Sequence, residues 1–530
     1  MSTEDAAPAR VPAAPFSDTR GPRGGRLSRR AVLGLAGTGA VVAVGAGLGI
    51  RRVLAGEPVG PADPAVAAAE ARRPSSGRTI DRVLRARPTT VDLGGREVAT
   101  WTYDGLLPAE PLRASVGDLM RVRLVNDLPQ PTTIHWHGLA LRNDMDGVPD
   151  LTMPAVAPGA RFDYAFTVAH PGTYWFHPHV GPQLDTGLYA PLIVDDPAEP
   201  GRYDDEAVLV FDDWTDGWGN SPDVILARAR RDGMGSMGMG DMGDMNGGGM
   251  GSGGMGMPTA ADPLGSDTGD VRYPAHLVNG RLPAAPHVIT ARPGQRLRLR
   301  LINAGADTAY RFAVGGHRLS VTHTDGFPVE PVTVDTLIIG MGERYDVVVT
   351  TGDGVFPVVA VPEGKPDPAA FVLLRTASSA RPPADIRPPE LTRQRLEYPM
   401  LQATPAAAVT ARTPDRELAV TLSMADGGRR WLINGKAYGQ HDPLPVRSGE
   451  RVRLVIDNKS MMFHPLHLHG HTFSVAGTSG RGFRKDTVNV LPMQRVSVDF
   501  DADNPGQWLS HCHNIYHGEL GMMTVLSYRS

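Results

Sequence analysis

Three stretches of one pattern decide the fold: 116-VGDLMRVRLVN-126, 293-PGQRLRLRLIN-303 and 448-SGERVRLVIDN-458. Each runs nine residues from a glycine (Gly117, Gly294, Gly449) to an asparagine (Asn126, Asn303, Asn458). Between them charged and aliphatic residues alternate, which is the period of a strand with one buried face. A second set follows, 158-PGARFDYAF-166, 342-GERYDVVV-349 and 492-PMQRVSVDF-500, anchored on Arg161, Arg344 and Arg495. Glycine to arginine spans 44, 50 and 46 residues. One β-unit of about 120 residues or more therefore occurs three times, as three β-sandwiches in series.

The chain is long enough for that plan. Its 530 residues exceed what one core can serve, and 62 Gly and 47 Pro with no long helical period suit an all-β chain rich in turns. A net charge of −4 gives no reason to expect nucleic acid or an anionic membrane surface as partner. The expected organisation is a signal over 1–56, a Pro/Ala-rich linker over 57–78, and domain 1 over 79–200. Domain 2 covers 201–378 with a Met/Gly-rich insertion at 233–257, a linker covers 379–412, and domain 3 covers 413–530.

The N-terminal stretch 28-SRRAVLGLAGTGAVVAVGAGLGI-50 puts Arg29 and Arg30 before a weakly apolar run. The pair and the mild run together read as a twin-arginine export signal, delivering the folded chain to the periplasm, cell envelope or exterior. The alternative is an uncleaved anchor formed by residues 31–50. Export makes the cysteine count pointed. Cys512 is the only cysteine, and an exported lone thiol oxidises unless something such as a metal occupies it.

Ten of the 17 histidines lie in four clusters, 135-HWH-137, 177-HPH-179, 464-HPLHLH-469 and 511-HCHNIYH-517. His135 and His137 fall 18 and 20 residues after Gly117, and His467 and His469 fall 18 and 20 after Gly449. His177 and His179 fall 16 and 18 after Arg161, as His511 and His513 do after Arg495. Domain 2 has Phe312, Val314, Ala360 and Pro362 at these offsets, so it carries the frame without the ligands. Each HxH puts two imidazoles on one strand face. Four such strands offer eight imidazoles across a pseudo-twofold, as suits a metal cluster between domains 1 and 3.

Domain 3 has a further set. Cys512 stands where domain 1 has Pro178, pointing to the face opposite His511 and His513. His464 and His517 replace Thr132 and Gln183, and Met522 replaces Leu188. Two His, one Cys and a weak axial Met describe a blue-copper electron-transfer site. Cys512 would take the electron there, and its covalent neighbours His511 and His513 would pass it to the cluster.

With these four motifs the chain resembles the three-domain multicopper oxidases from about residue 79 to its end. The resemblance implies three consecutive cupredoxin-like Greek-key β-sandwiches and four copper ions. Type 1 copper would be held by His464, Cys512, His517 and axial Met522, and type 2 copper by His135 and His467. The type 3 pair would take His137, His177 and His513 on one ion and His179, His469 and His511 on the other. The implied reaction couples four one-electron oxidations of a donor to reduction of O2 to two waters. Asp146, nine residues after His137, stands where the family often has a proton-handling Asp; a plain turn residue is the competing reading. The place after the last type 1 histidine, acidic in many relatives, is Gly518, with Glu519 one residue on.

Eight of the 20 methionines lie in 233-GMGSMGMGDMGDMNGGGMGSGGMGM-257: Met234, Met237, Met239, Met242, Met245, Met250, Met255 and Met257. Such a tract cannot build a core, whereas thioethers are soft ligands that suit Cu(I). Met462 stands two residues before His464, where cuprous oxidases of the family place a Met to accept electrons; the Asp they carry two residues earlier is Ser460 here. The expectation is an exported monomeric oxidase acting on Cu(I), and on phenols less selectively, in copper tolerance. The alternatives are a laccase-like phenol oxidase and a non-catalytic copper store. His471, Trp136 and Trp175 read as structural.

Overall fold

A computed structural model of the chain describes residues 56–199, 201–234, 257–259, 262–475 and 481–530. Its six sheets fall two to each copy of the repeat. The glycine-to-asparagine stretch is a central strand each time: Leu119–Asn126, Arg296–Asn303 and Arg451–Asn458. Each pairs antiparallel with the strand that its arginine opens, Arg161–Thr167, Arg344–Thr350 or Arg495–Asp501. Each also pairs parallel with its domain's first strand, Thr79–Asp92, Asp205–Trp214 or Arg416–Ala425. Parallel and antiparallel neighbours in one sheet of a sandwich mark a Greek-key path. The fold is three cupredoxin-like sandwiches in series.

The recurring asparagine has a physical reason. Asn126, Asn303 and Asn458 are all fully buried. Each amide donates to a carbonyl shortly after it in the chain (Gln130, Thr308, Met462) and to one just before the arginine strand (Val156, Ile339, Val490). Each amide oxygen accepts the N–H two residues on, from Leu128, Gly305 or Ser460. One side chain thus ties the end of the central strand to the turn after it and to the segment that precedes the arginine strand.

The spacing read from the anchors is a register. His135 stands opposite His177, His467 opposite His511, and in the ligand-free domain Phe312 opposite Ala360. The central strand of domain 1 alternates in burial as its sequence does, but that of domain 2 is buried almost throughout. Its Arg298 and Arg300 both reach Asp346, and Arg300 also donates to Thr173 of domain 1, which covers the face that would otherwise be wet.

Residues 57–78 are more than a linker. Asp63 caps the helix Pro64–Glu70 by accepting from the Ala65 N–H, with Pro64 in the first turn. Val66 and Ala69 are buried, Glu70 accepts from Thr167 of domain 1, and Arg73 donates to Asn504 of domain 3. Alanine's high helix propensity makes the composition helical once one face finds cover.

Candidate metal centres

The eight paired histidines converge between domains 1 and 3. His137, His177 and His513 present ligand atoms within 4.8 Å of one another, and so do His179, His469 and His511. A third group joins His135 and His467 with His137. Two sandwich faces close on each other here: His135 stacks on His469 at 3.7 Å and His137 on His467 at 3.8 Å.

Hydrogen bonds on the far side of each ring fix which nitrogen faces inward. The Nδ1 atoms of His135, His467, His177 and His511 lie 2.8–3.0 Å from the carbonyls of Asp146, Asp486, Pro178 and Cys512. A carbonyl only accepts, so each Nδ1 carries the hydrogen and each Nε2 is a bare donor atom. His137 is turned the other way, with Nε2 3.2 Å from Asp486 Oδ1 and Nδ1 inward. The Nε2 atoms of His135, His177 and His467, Nδ1 of His137 and both nitrogens of His513 are buried without a hydrogen-bond partner. So many orphaned lone pairs aimed together are costly in the protein alone and fit bound metal ions. Burial, reinforced by neighbouring imidazoles, holds His137, His177, His179, His469, His511 and His513 well below the usual histidine range, so they stay neutral.

Asp146 is part of this shell. Its Oδ2 is 2.9 Å from His469 Nδ1, and its Oδ1 is buried with no hydrogen-bond partner. Glu519 instead faces Arg230 at 3.7 Å, on the helix Pro222–Asp232.

The sulfur and imidazoles of the second centre all come from domain 3. Cys512 Sγ is 3.6 Å from His464 Nδ1 and 3.7 Å from His517 Nδ1, and all three residues are fully buried. The turn after the cysteine makes this set local. Asn514 caps the helix Ile515–Glu519 by accepting from the Tyr516 and His517 N–H groups, and Met522 accepts from the Cys512 N–H and donates to the His517 carbonyl. Met522 is fully buried beside them. The matching place in domain 1 holds a hydrogen bond from Thr132 to Gln183 at 2.7 Å. Ser460 Oγ contacts His464 Nε2 at 2.7 Å, Asp270 Oδ2 contacts His517 Nε2 at 2.8 Å, and Trp431 stacks on His517 at 3.7 Å. Burial opposes a charge on His517, but the Asp270 carboxylate and the Cys512 sulfur raise it to about 10 in the metal-free chain.

Sequence reasoning missed Asp270 and Asp486. Both come to the site from outside any motif, Asp270 from another domain. The methionines divide. Met234 is 1 % exposed and packs in the hydrophobic core beyond the helix Pro222–Asp232. Met462 is also in the core, at 2 % exposure, whereas Met257 is 54 % exposed. Met237, Met239, Met242, Met245, Met250 and Met255 lie outside the described residues, as does the stretch 28–50. Met493, exposed on the turn whose N–H meets the Ser460 carbonyl, was not singled out from sequence. Trp136 packs against Tyr164, Phe166 and Phe176. His471 bonds to the His469 carbonyl and the Tyr528 hydroxyl.

Comparison with known proteins agrees with this layout. Sequence profiles described as multicopper oxidase match residues 86–199, 205–377 and 410–530. The chain is 47 % identical over 468 residues to multicopper oxidase MmcO of Mycobacterium tuberculosis, covering 88 % of this chain and 90 % of that one. It is 28 % identical to a copper resistance protein A homolog of Pseudomonas syringae pv. tomato, covering 84 % and 92 %. Among solved structures it superposes on a multi-copper oxidase from Pseudomonas thermotolerans with TM-score 0.63, at 28 % identity, covering 85 % and 99 %. The order of domains, the two histidine-lined centres and the extent of these matches lead to one conclusion: the chain belongs to the three-domain multicopper oxidases, copper-dependent oxidoreductases that use O2.

Proposed function

We propose that this oxidase takes its electrons from Cu(I), and from phenols less selectively, as part of copper tolerance after twin-arginine export. One observation carries the choice of donor. Ten residues beyond Met257 the chain is at the type 1 site: Asp267 bridges the backbone of Met462, and Asp270 bonds to His517. A soft-ligand tract is thereby tethered 13 residues from the carboxylate that touches a type 1 histidine. The name of the copper resistance relatives points the same way. Among the described residues no helix is long and apolar enough to cross a membrane.

The residues assign the work. His464, Cys512, His517 and Met522 would hold type 1 copper, His135 and His467 type 2, and the two His triads the type 3 pair. When bound, the copper ions supply one-electron acceptance at one centre and four-electron reduction of O2 at the other. Burial keeps the thiol of Cys512 and the imidazoles away from water. The backbone of residues 511–513 is the covalent link between the centres. Asp270 fixes His517 at the face that meets the donor and supplies negative charge there. Asp146, with Oδ2 on His469 and Oδ1 3.2 Å from His135 Nδ1, would be the proton-handling carboxylate beside the cluster.

Deleting residues 235–256, which leaves Met234 in its core position, tests the donor assignment. Cu(I)-driven oxygen uptake should fall while phenol-driven uptake holds. An unchanged Cu(I) rate would make the tract a spectator and favour the laccase-like reading.

A further inference from the structure

The two domains that supply histidines also supply one aspartate each, and the pair obeys the pseudo-twofold. The Asp146 carbonyl accepts from His135, the first histidine of its own domain's HxH, and its carboxylate reaches His469 of the other domain. The Asp486 carbonyl accepts from His467, and its carboxylate reaches His137 of the other domain. Here the symmetry ends. Asp146 has no cation within ion-pair distance among the described residues apart from His135 and His469, at 3.2 and 2.9 Å from its two oxygens. Asp486 is gripped by Arg344, whose Nη1 and Nη2 lie 2.7 and 2.6 Å from its two oxygens.

Arg344 is the repeat anchor of the domain that has no copper ligands. Its counterparts Arg161 and Arg495 are exposed, but Arg344 is fully buried. Its Nε donates to the Thr173 carbonyl of domain 1 at 3.0 Å, so its guanidinium joins all three domains. Asp325, also of domain 2, accepts the backbone N–H groups of Asp486 and Thr487 at 3.1 Å each. The slot is shaped for the pair. Gly138, next to His137, has φ +87°, and a Cβ there would stand 2.3 Å from Arg344 Nη2 and 2.7 Å from Asp486 Oδ2.

We propose that Arg344 is a positioning residue of the trinuclear centre. By clamping Asp486 it holds His137 with Nδ1 inward and His467 with Nε2 inward. The middle domain, without a ligand of its own, thereby sets the ligand geometry between its neighbours. A bidentate guanidinium on a buried carboxylate fixes direction as well as charge, which an ammonium does not. This inference rests on the reading that the eight histidines hold the cluster.

The test compares copper-loaded wild type with Arg344→Met and Arg344→Lys. Blue absorption reports type 1 copper, and total copper with the type 2 electron paramagnetic resonance signal reports the other centre. Arg344→Met should stay blue while losing or distorting type 2 copper, with turnover down about 10- to 100-fold. Arg344→Lys should restore copper content further than geometry and turnover. An Arg344→Met protein with full copper, an unaltered type 2 signal and normal turnover overturns the proposal. If Arg344→Met yields no blue protein, the double variant Arg344→Met/Asp486→Asn replaces it, since it buries no uncompensated charge. A blue double variant with a disturbed type 2 signal supports positioning; a normal signal, or no blue protein again, overturns it in favour of a purely structural role. Wild type lacking a type 2 signal would instead sink the underlying reading.

Discussion

Cys512 shares a strand end with His511 and His513, and the alternation of a strand sends the thiol to one centre and both imidazoles to the other. Replacing Cys512 with Ser exchanges a soft thiolate for a poor copper ligand. The variant should lose its blue absorption, bind about one copper fewer per chain and stop reducing O2 with any donor; normal uptake by Cys512→Ser would break the assignment of the electron path. Asp146→Asn keeps the size of the side chain but not its capacity to carry a proton. It should leave copper content intact and lower kcat about 100-fold or more; a full rate would return Asp146 to a turn residue. The histidines were legible because each HxH lies at a fixed distance from a repeat anchor. Asp486, Arg344 and Asp270 were not, because nothing local marks them. Each owes its role to a contact across a domain boundary, at Arg344–Asp486, Asp486–His137 and Asp270–His517.

At the scale of elements, the asparagine closing each central strand has the same bonds in three domains but different neighbours. Asn126→Ala and Asn458→Ala each strand buried carbonyls, and each should cost about 2–3 kcal/mol of stability. Only Asn458 also sets the turn through Ser460 and Met462 that leads into His464. Its alanine variant should therefore shift the blue spectrum, and Asn126→Ala should not. Equal spectra in the two variants would show that the turn does not position His464. The strands and their register were readable because burial on one face imposes period two. The helix Pro64–Glu70 was not, since a Pro/Ala-rich stretch shows no amphipathic period. What holds it are contacts of Val66, Ala69 and Glu70 with distant parts of the chain.

At the scale of the molecule, domains 1 and 2 are joined through a buried ion network. Asp346 sits between Arg298 and Arg300, and Arg300 also meets Thr173 of the first domain. Burial alone would raise the Asp346 carboxyl, but the two guanidiniums hold it well below the usual carboxylate range. A depressed carboxylate stabilises the fold fully above the unfolded value of about 4 and loses that contribution as pH falls towards the folded value. Asp346→Asn should cost about 3–5 kcal/mol at neutral pH. Its gap in thermal midpoint from wild type should narrow between pH 5 and pH 3, and a gap independent of pH would contradict this. The three-domain plan was visible from the anchors alone. The contacts of domain 2 with both centres were invisible, because its Arg344 looks in sequence like the exposed Arg161 and Arg495. Oxygen uptake by the copper-loaded protein, with Cu(I) and a simple phenol compared as donors, bears most directly on the central claim. Rapid uptake with Cu(I) and slower uptake with phenol is the predicted result. A faster phenol rate would contradict the choice of donor, and no uptake with either would leave a copper-binding protein without turnover.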